Sequence, residues 1–219
     1  MKTDSNIQKP IIVLGAGGHA KVLIETLRLL GREIIGITDP AMLDSSEYFG
    51  VKVLGDDSQV FNYSSNEVKL VNGIGAMPEN NLRRMLNESM EHKGYKFTEV
   101  IHPSAVIASD VEIGSGVQIM AGVVIQPSVS IGRSCIINTG VNLDHDCVIH
   151  DDCHLAPGVT LSGNVDIGER THIGTGASII QGITVGQDCV IAAGSIIYKD
   201  VSLDTKFIQQ RLVLLKDTF

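Results

Sequence analysis

From Ile101 onward the chain repeats every six residues. Ile101, Ile107, Ile113, Ile119, Ile125, Ile131, Ile137, Leu143, Ile149, Leu155, Leu161, Ile167, Ile173, Ile179, Val185, Ile191, Ile197 and Leu203 form one unbroken series of aliphatic residues. Four residues after them stand small or β-branched side chains, among them Val111, Val117, Val123, Val159, Val165, Ala177 and Ser195. A helix repeats at 3.6 residues and a strand at 2, so neither accounts for six. The period is that of a hexapeptide β-helix: each repeat is a short strand plus a corner, with the aliphatic pointing inward. Three sides close one triangular coil, and residues eighteen apart stack. The composition agrees, since aromatic residues are 4% of the chain and Trp is absent. Such a core must be filled by aliphatic layers.

Cys135, Cys147, Cys153 and Cys189 all fall on the small position of the repeat, and no Cys-x-x-Cys pair exists. They read as small buried apolar residues rather than disulfides, metal ligands or nucleophiles.

The first hundred residues follow a different logic. Ile11 to Leu14 reads as a buried strand, and Gly15-Ala16-Gly17-Gly18-His19-Ala20 follows at once. A helical pattern through Leu23, Leu27 and Leu30 comes next, then a second strand from Glu33 to Thr38 with Asp39 at its end. Strand, glycine turn, helix and strand with an acid about twenty residues on is the dinucleotide fingerprint. The glycines let the backbone approach a phosphate, and the helix start offers free N–H groups. Lys69 to Ile74 is expected to be a third strand, and Glu79 to about Lys93 a helix with Arg83 and Arg84 on its exposed side. Lys96 to Val100 is expected to be a last strand, giving a parallel sheet of three to five strands. Phe207 to Leu215 is expected to form a short terminal helix. The reading is therefore an α/β Rossmann-like half-domain at 1–100, an all-β parallel β-helix at 101–203, and a tail at 204–219. So little chain precedes the repeats that a substrate domain for hydride transfer has no room.

A net charge of −8 argues against a nucleic-acid or anionic-membrane partner, both of which ask for a basic surface. No apolar run reaches the ~20 residues of a membrane span, and the polar start lacks the layout of a signal peptide. A cytoplasmic protein is expected.

The stretch from Ile101 to Val201 resembles the left-handed β-helix of the hexapeptide acyltransferases. With the Gly-Gly-His turn ahead of it, the chain from Ile11 to about Lys199 resembles the sugar-nucleotide acetyltransferases of the bacillosamine type. Those enzymes acetylate UDP-linked 4-amino-4,6-dideoxy sugars; the perosamine N-acetyltransferases and the sialic acid O-acetyltransferase subfamily share the layout. Ser202 to Phe219 departs from them in lacking a terminal Gly-x-Pro-Ala. The resemblance implies the left-handed coil, a homotrimer, acetyl-CoA bound between neighbouring prisms, and no metal.

Acetyl transfer to an amine needs a base for the amine proton and a donor for the thioester oxygen. His145, two residues after the inward Leu143, is the candidate base. The resemblance pairs it with Asp146, where the matching acid is often Glu. Gly163 lies eighteen residues on and is expected to leave room above the imidazole for the thioester. The resemblance assigns His154, which stacks with His172, together with Gly163, Thr175 and Ala193, to acetyl-CoA. It assigns Gly17, Gly18, His19, Asp39 and Gly75 to the nucleotide, and Asn138 to the acceptor amino group. The readings that compete with N-acetylation are O-acetylation of a sialic-acid-like sugar and a sugar-nucleotide-binding protein without catalysis.

Overall fold

The computed structural model describes residues 8–42, 46–78 and 80–208. The first unit is built from Ile11–Leu14 (β1), Gly18–Leu29 (α1), Ile34–Thr38 (β2), Glu47–Tyr48 (β3), Val51–Gly55 (β4), Lys69–Asn72 (β5) and Leu82–His92 (α2). The sheet has the order β3-β4-β2-β1-β5. All pairs are parallel except the β3–β4 hairpin at the edge. β1 is apolar throughout because it is central and buried on both faces. α1 buries Ala20, Leu23, Ile24 and Leu27, the single stripe that a 3.6-residue period puts on one side.

Several expectations need correction here. Lys96 to Val100 is not a strand of this sheet: Phe97 makes one isolated bridge to Leu70, and Val100–Ile101 already pairs with Gln118–Ile119 in the β-helix. The β3–β4 hairpin was not anticipated, its segments being too short and polar to show a period. Arg83 is not on the exposed side of α2. It is 7% exposed and donates from Nη1 to the carbonyls of Asn72 (2.9 Å) and Ile74 (2.7 Å), tying the helix to the end of β5.

The second unit is a left-handed prism of three parallel sheets. Its first face stacks the strands beginning at Val100, Gln118, Ile136, His154, His172 and Val190. The second stacks those beginning at Val106, Val124, Asn142, Thr160, Ser178 and Ile196, and the third those at Glu112, Ser130, Val148, Asp166 and Thr184. Each coil hydrogen-bonds the next, as in Val124 N–H to Val141 C=O at 3.0 Å. The inward residues from Ile119 to Ile197 are buried, as are all four cysteines. Each aliphatic so placed contributes roughly 1.5–3 kcal/mol of transfer free energy.

The corners carry a second signature. From Gly116 to Gly194, every sixth residue has a positive φ, and half of these are not glycine: Ser128, Ser134, Asp146, Asp152, Asn164, Arg170 and Asp188. Asn and Asp tolerate this left-handed conformation better than most residues, which permits a functional acid at a corner.

The repeat runs out earlier than the aliphatic series suggested. Leu203 is 59% exposed, and Val201 turns inward instead, bridging Val185. The frame has lost two residues, so Lys206–Phe207 pairs with Val190–Ile191 as a further strand of the first face. Phe207 is thus strand, not helix; the rest of the expected terminal helix beyond Ile208 lies outside the described residues.

Candidate active site

His145 sits at the corner between the second and third faces. Its Nδ1 is 2.7 Å from Oδ2 of Asp146. The left-handed backbone of Asp146 (φ 62°) turns this carboxylate back onto its neighbour's ring, so the shorter acid reaches without help. A carboxylate only accepts, so the ring proton is on Nδ1 and the lone pair on Nε2. The Asp146 hydrogen bond raises the imidazole pKa above its ordinary 6.5, outweighing a small opposing desolvation. The pair is well exposed, at 60% and 57%.

Gly163 lies directly against this ring. A Cβ there would stand 2.5 Å from Cε1 and 2.7 Å from Nε2 of His145, so the missing side chain makes room for the imidazole itself.

A second group of residues lies on the first face, beneath the α/β unit. Asn138 is 3.3 Å from Nε2 of His154, whose Nδ1 is 3.2 Å from Nδ1 of His172. Burial, then His172, His19 and Arg83 push His154 down to about 3, and burial lowers His172. Thr175 and Ala193 follow at the exposed corner between the first and second faces, stacked through the Gly194 N–H, which donates to the Thr175 carbonyl at 2.8 Å.

The nucleotide-turn candidates gather at the C-terminal edge of the sheet. Gly17 and Gly18 face open space, which leaves the start of α1 approachable. Gly15, at φ +88°, passes so close to Ile74 that a Cβ would stand 2.8 Å from its side chain. Asp39 braces this turn, accepting from the N–H groups of Ala16 (2.7 Å) and Ala41 (2.8 Å). Gly75 is exposed and packs beside His19.

His19 itself turns toward the prism. Its Nε2 is 2.7 Å from Oε1 of Gln118, and Gln118 Nε2 donates to the Asn72 carbonyl at 2.7 Å. Since Oε1 only accepts, His19 carries its proton on Nε2. Burial dominates and lowers this imidazole to about 4, so the ring is neutral at pH 7 and offers no charge to a phosphate.

The sequence reading missed Gln118, Asn72, Asn87 and Ser134, which continue this link: Asn72 Nδ2 donates to Asn87 Oδ1 (2.7 Å), and Asn87 Nδ2 to Ser134 Oγ (3.0 Å). Polar residues outside an inward frame look like solvated surface until the partner domain is in place. A cleft of about 330 Å³ opens between the start of α2 and the first face, walled by Arg83, Arg170, His154, His172, Asp152 and Asp188.

His145 and Gly163 therefore occupy one corner, whereas Asn138, His154, Thr175 and Ala193 occupy the first face and the corner after it. The second face separates the two groups. Among the described residues no three or more His, Cys, Asp or Glu are grouped to hold a metal, and no helix is long and apolar enough to cross a membrane.

Comparison with known proteins adds three family matches: the PglD N-terminal domain at residues 10–90, the bacterial transferase hexapeptide (six repeats) at 128–163, and the hexapeptide repeat of succinyl-transferase at 164–199. Among solved structures, a histidine-to-asparagine mutant of perosamine N-acetyltransferase from Caulobacter crescentus, in complex with CoA and GDP-perosamine, is 37% identical. The alignment covers 90% of this chain and 92% of that one, with a TM-score of 0.83. The acetyltransferase domain of PglB from Neisseria gonorrhoeae, in complex with acetyl coenzyme A, is 33% identical over 89% and 93% of the two chains, with a TM-score of 0.82. WeeI from Acinetobacter baumannii, at 24% identity, shares the fold over 90% and 95% of the chains with a TM-score of 0.81.

Proposed function

Because this chain belongs to the family of sugar-nucleotide acetyltransferases that join a PglD-type N-terminal domain to a hexapeptide β-helix, we propose that it transfers the acetyl group of acetyl-CoA to the amino group of a nucleotide-linked amino sugar. The observation that carries the mechanism is the His145–Asp146 pair. Asp146 holds the Nδ1 proton, which leaves the Nε2 lone pair facing outward as a base. The sugar amine attacks the thioester carbonyl while Nε2 takes a proton from the nitrogen; the C–N bond forms, the C–S bond breaks, and the thiolate of CoA leaves. The four cysteines are buried in the prism, and burial raises the thiol pKa at Cys135, Cys147 and Cys189, which supports direct transfer.

On this reading Gly17, Gly18, Asp39 and Gly75 receive the nucleotide, Asn138 meets the amino group, and His154, Gly163, Thr175 and Ala193 line acetyl-CoA. His19 contributes by holding the turn against Gln118. The acceptor is a 4-amino-4,6-dideoxy sugar carried on UDP or GDP, destined for a surface glycan and modified in the cytoplasm. The chain assembles as a homotrimer on this reading, and the two separated corners support it: an acceptor held beneath the α/β unit meets a base when a neighbouring prism brings its own His145 corner alongside.

The test is release of CoA thiol from acetyl-CoA with UDP-, GDP- and CMP-linked amino sugars, with the product checked by mass spectrometry. N-acetylation of a UDP or GDP amino sugar is expected. His145→Ala should cut turnover by about 10²–10⁴ while both substrates still bind. Full turnover in that variant, or an acetyl-cysteine trapped during reaction, would overturn the mechanism.

A further inference from the structure

His172 carries no role in the reaction so far, yet the chain of hydrogen bonds on the first face ends on it. Oδ1 of Asn138 accepts the backbone N–H of Thr139 at 2.8 Å, so the atom that Asn138 turns toward His154 is its amide nitrogen. An amide nitrogen only donates. Nε2 of His154 must then be the unprotonated nitrogen, and the His154 proton sits on Nδ1. That proton faces Nδ1 of His172 at 3.2 Å, with the two rings edge to face, their centroids 4.7 Å apart and their planes at 78°. His172 accepts it and keeps its own proton on Nε2.

The opposite arrangement is at hand. The Ala76 carbonyl also lies against the His154 ring and would take a proton from it. A proton moved to Nε2 would, however, set His154 against the amide N–H of Asn138, donor to donor. The charges around the pair are His19 and Arg83, which act on His154, and Asp152, Arg170 and Asp188 on the wall of the shared cleft. Arg170 and Asp188 are paired with each other at 2.7 Å.

We infer that His172 is a positioning residue: by accepting the Nδ1 proton of His154 it fixes the tautomer of that ring, and through Nε2 it fixes the amide of Asn138. The consequence for catalysis rests on the proposed role of Asn138 toward the acceptor; the tautomer does not. Without an acceptor at residue 172, the Nδ1–H of His154 loses its hydrogen bond to the neighbouring ring, a cost that favours the tautomer protonated on Nε2 and turns Asn138 away.

The experiment uses the full chain labelled with ¹⁵N-histidine, His154 being assigned by its loss in His154→Asn. Long-range ¹H–¹⁵N correlations should show wild-type His154 protonated on Nδ1. His172→Asn supplies an oxygen at the place of Nδ1 and should keep that tautomer, whereas His172→Leu should shift it to Nε2. In steady-state kinetics His172→Leu should raise KM for the amino-sugar acceptor roughly 10-fold, about the worth of one hydrogen bond. Its kcat and the pH profile set by His145 should stay near wild type, and His172→Asn should restore KM. A wild-type His154 protonated on Nε2 overturns the inference, as does an unchanged tautomer or an unchanged KM in His172→Leu. If no amino sugar is acetylated, the proposed function fails while the tautomer measurement still decides the hydrogen-bond chain.

Discussion

At Gly163 a single hydrogen atom in place of a side chain decides where an imidazole can lie. Alanine would bring Cβ to 2.5 Å from Cε1 of His145, closer than van der Waals contact permits, so the ring must swing out and break its bond to Asp146. Gly163→Ala is therefore expected to lose most of the activity that His145→Ala loses, with a Tm shift of only a few degrees because the ring is solvent-exposed. Activity near wild type in Gly163→Ala would show that the ring position is unimportant. The rate should follow the same pair: the Asp146 hydrogen bond raises the imidazole pKa, so kcat/KM should climb with pH through a midpoint above 6.5. Asp146→Asn should move that midpoint down, measurable in a pH–rate profile. His145 was legible as a candidate mostly through the family resemblance; its place two residues after an inward leucine put it at an outward corner. Its partnership with Asp146 depended on a left-handed corner that spacing alone does not display.

Among the elements, the contact between the α/β unit and the first face is the part most sensitive to acid. His19 is held near 4, His154 near 3, and His172 is lowered, all chiefly by burial. In the unfolded chain these rings take up protons near 6.5, where the folded protein does not. Stability is then fully present above that pH and is lost as pH falls toward the folded values. His19 alone costs about 2 kcal/mol by pH 5 on this basis. Urea unfolding at pH 7 and pH 5 should show at least that loss, and His19→Asn should shrink the difference by the His19 share, leaving that of His154 and His172, while lowering stability at pH 7 as the bond to Gln118 is lost. Equal midpoints at both pH values would contradict the burial argument. At this scale β1, α1 and β2 could be read from apolar pattern and glycine turn. The burial of Arg83 could not, because the carbonyls that draw it inward belong to the end of β5 and not to α2 itself.

For the whole molecule, the two groups of candidate residues lie on opposite sides of the second face. The proposed homotrimer would bridge that separation. If one chain supplies Asn138 and the next supplies His145, then His145→Ala and Asn138→Ala chains mixed in one oligomer should restore part of the activity that each variant lacks alone. Co-expression of two differently tagged variants, tandem purification and a thiol-release assay would measure this. No recovery in mixed oligomers, or full specific activity of an isolated monomer at nanomolar concentration, would place the site within a single chain.

The amino-acid order by itself determined the prism. A period of six with an inward aliphatic admits few backbone solutions, and each coil is held by contacts to residues eighteen away along a regular chain. The same regularity exposed the cysteines as core, while strand, glycine turn, helix and acid in order marked the head of a half-domain. Where the repeat loses two residues, the series was misleading, because Leu203 continues the pattern in sequence while Val201 fills the space inside. Only the tertiary structure decided what meets the first face. His19 against Gln118 and Asn87 against Ser134 are pairings between segments that share no period. Their partners are set by how two separately patterned units dock, which no local spacing encodes.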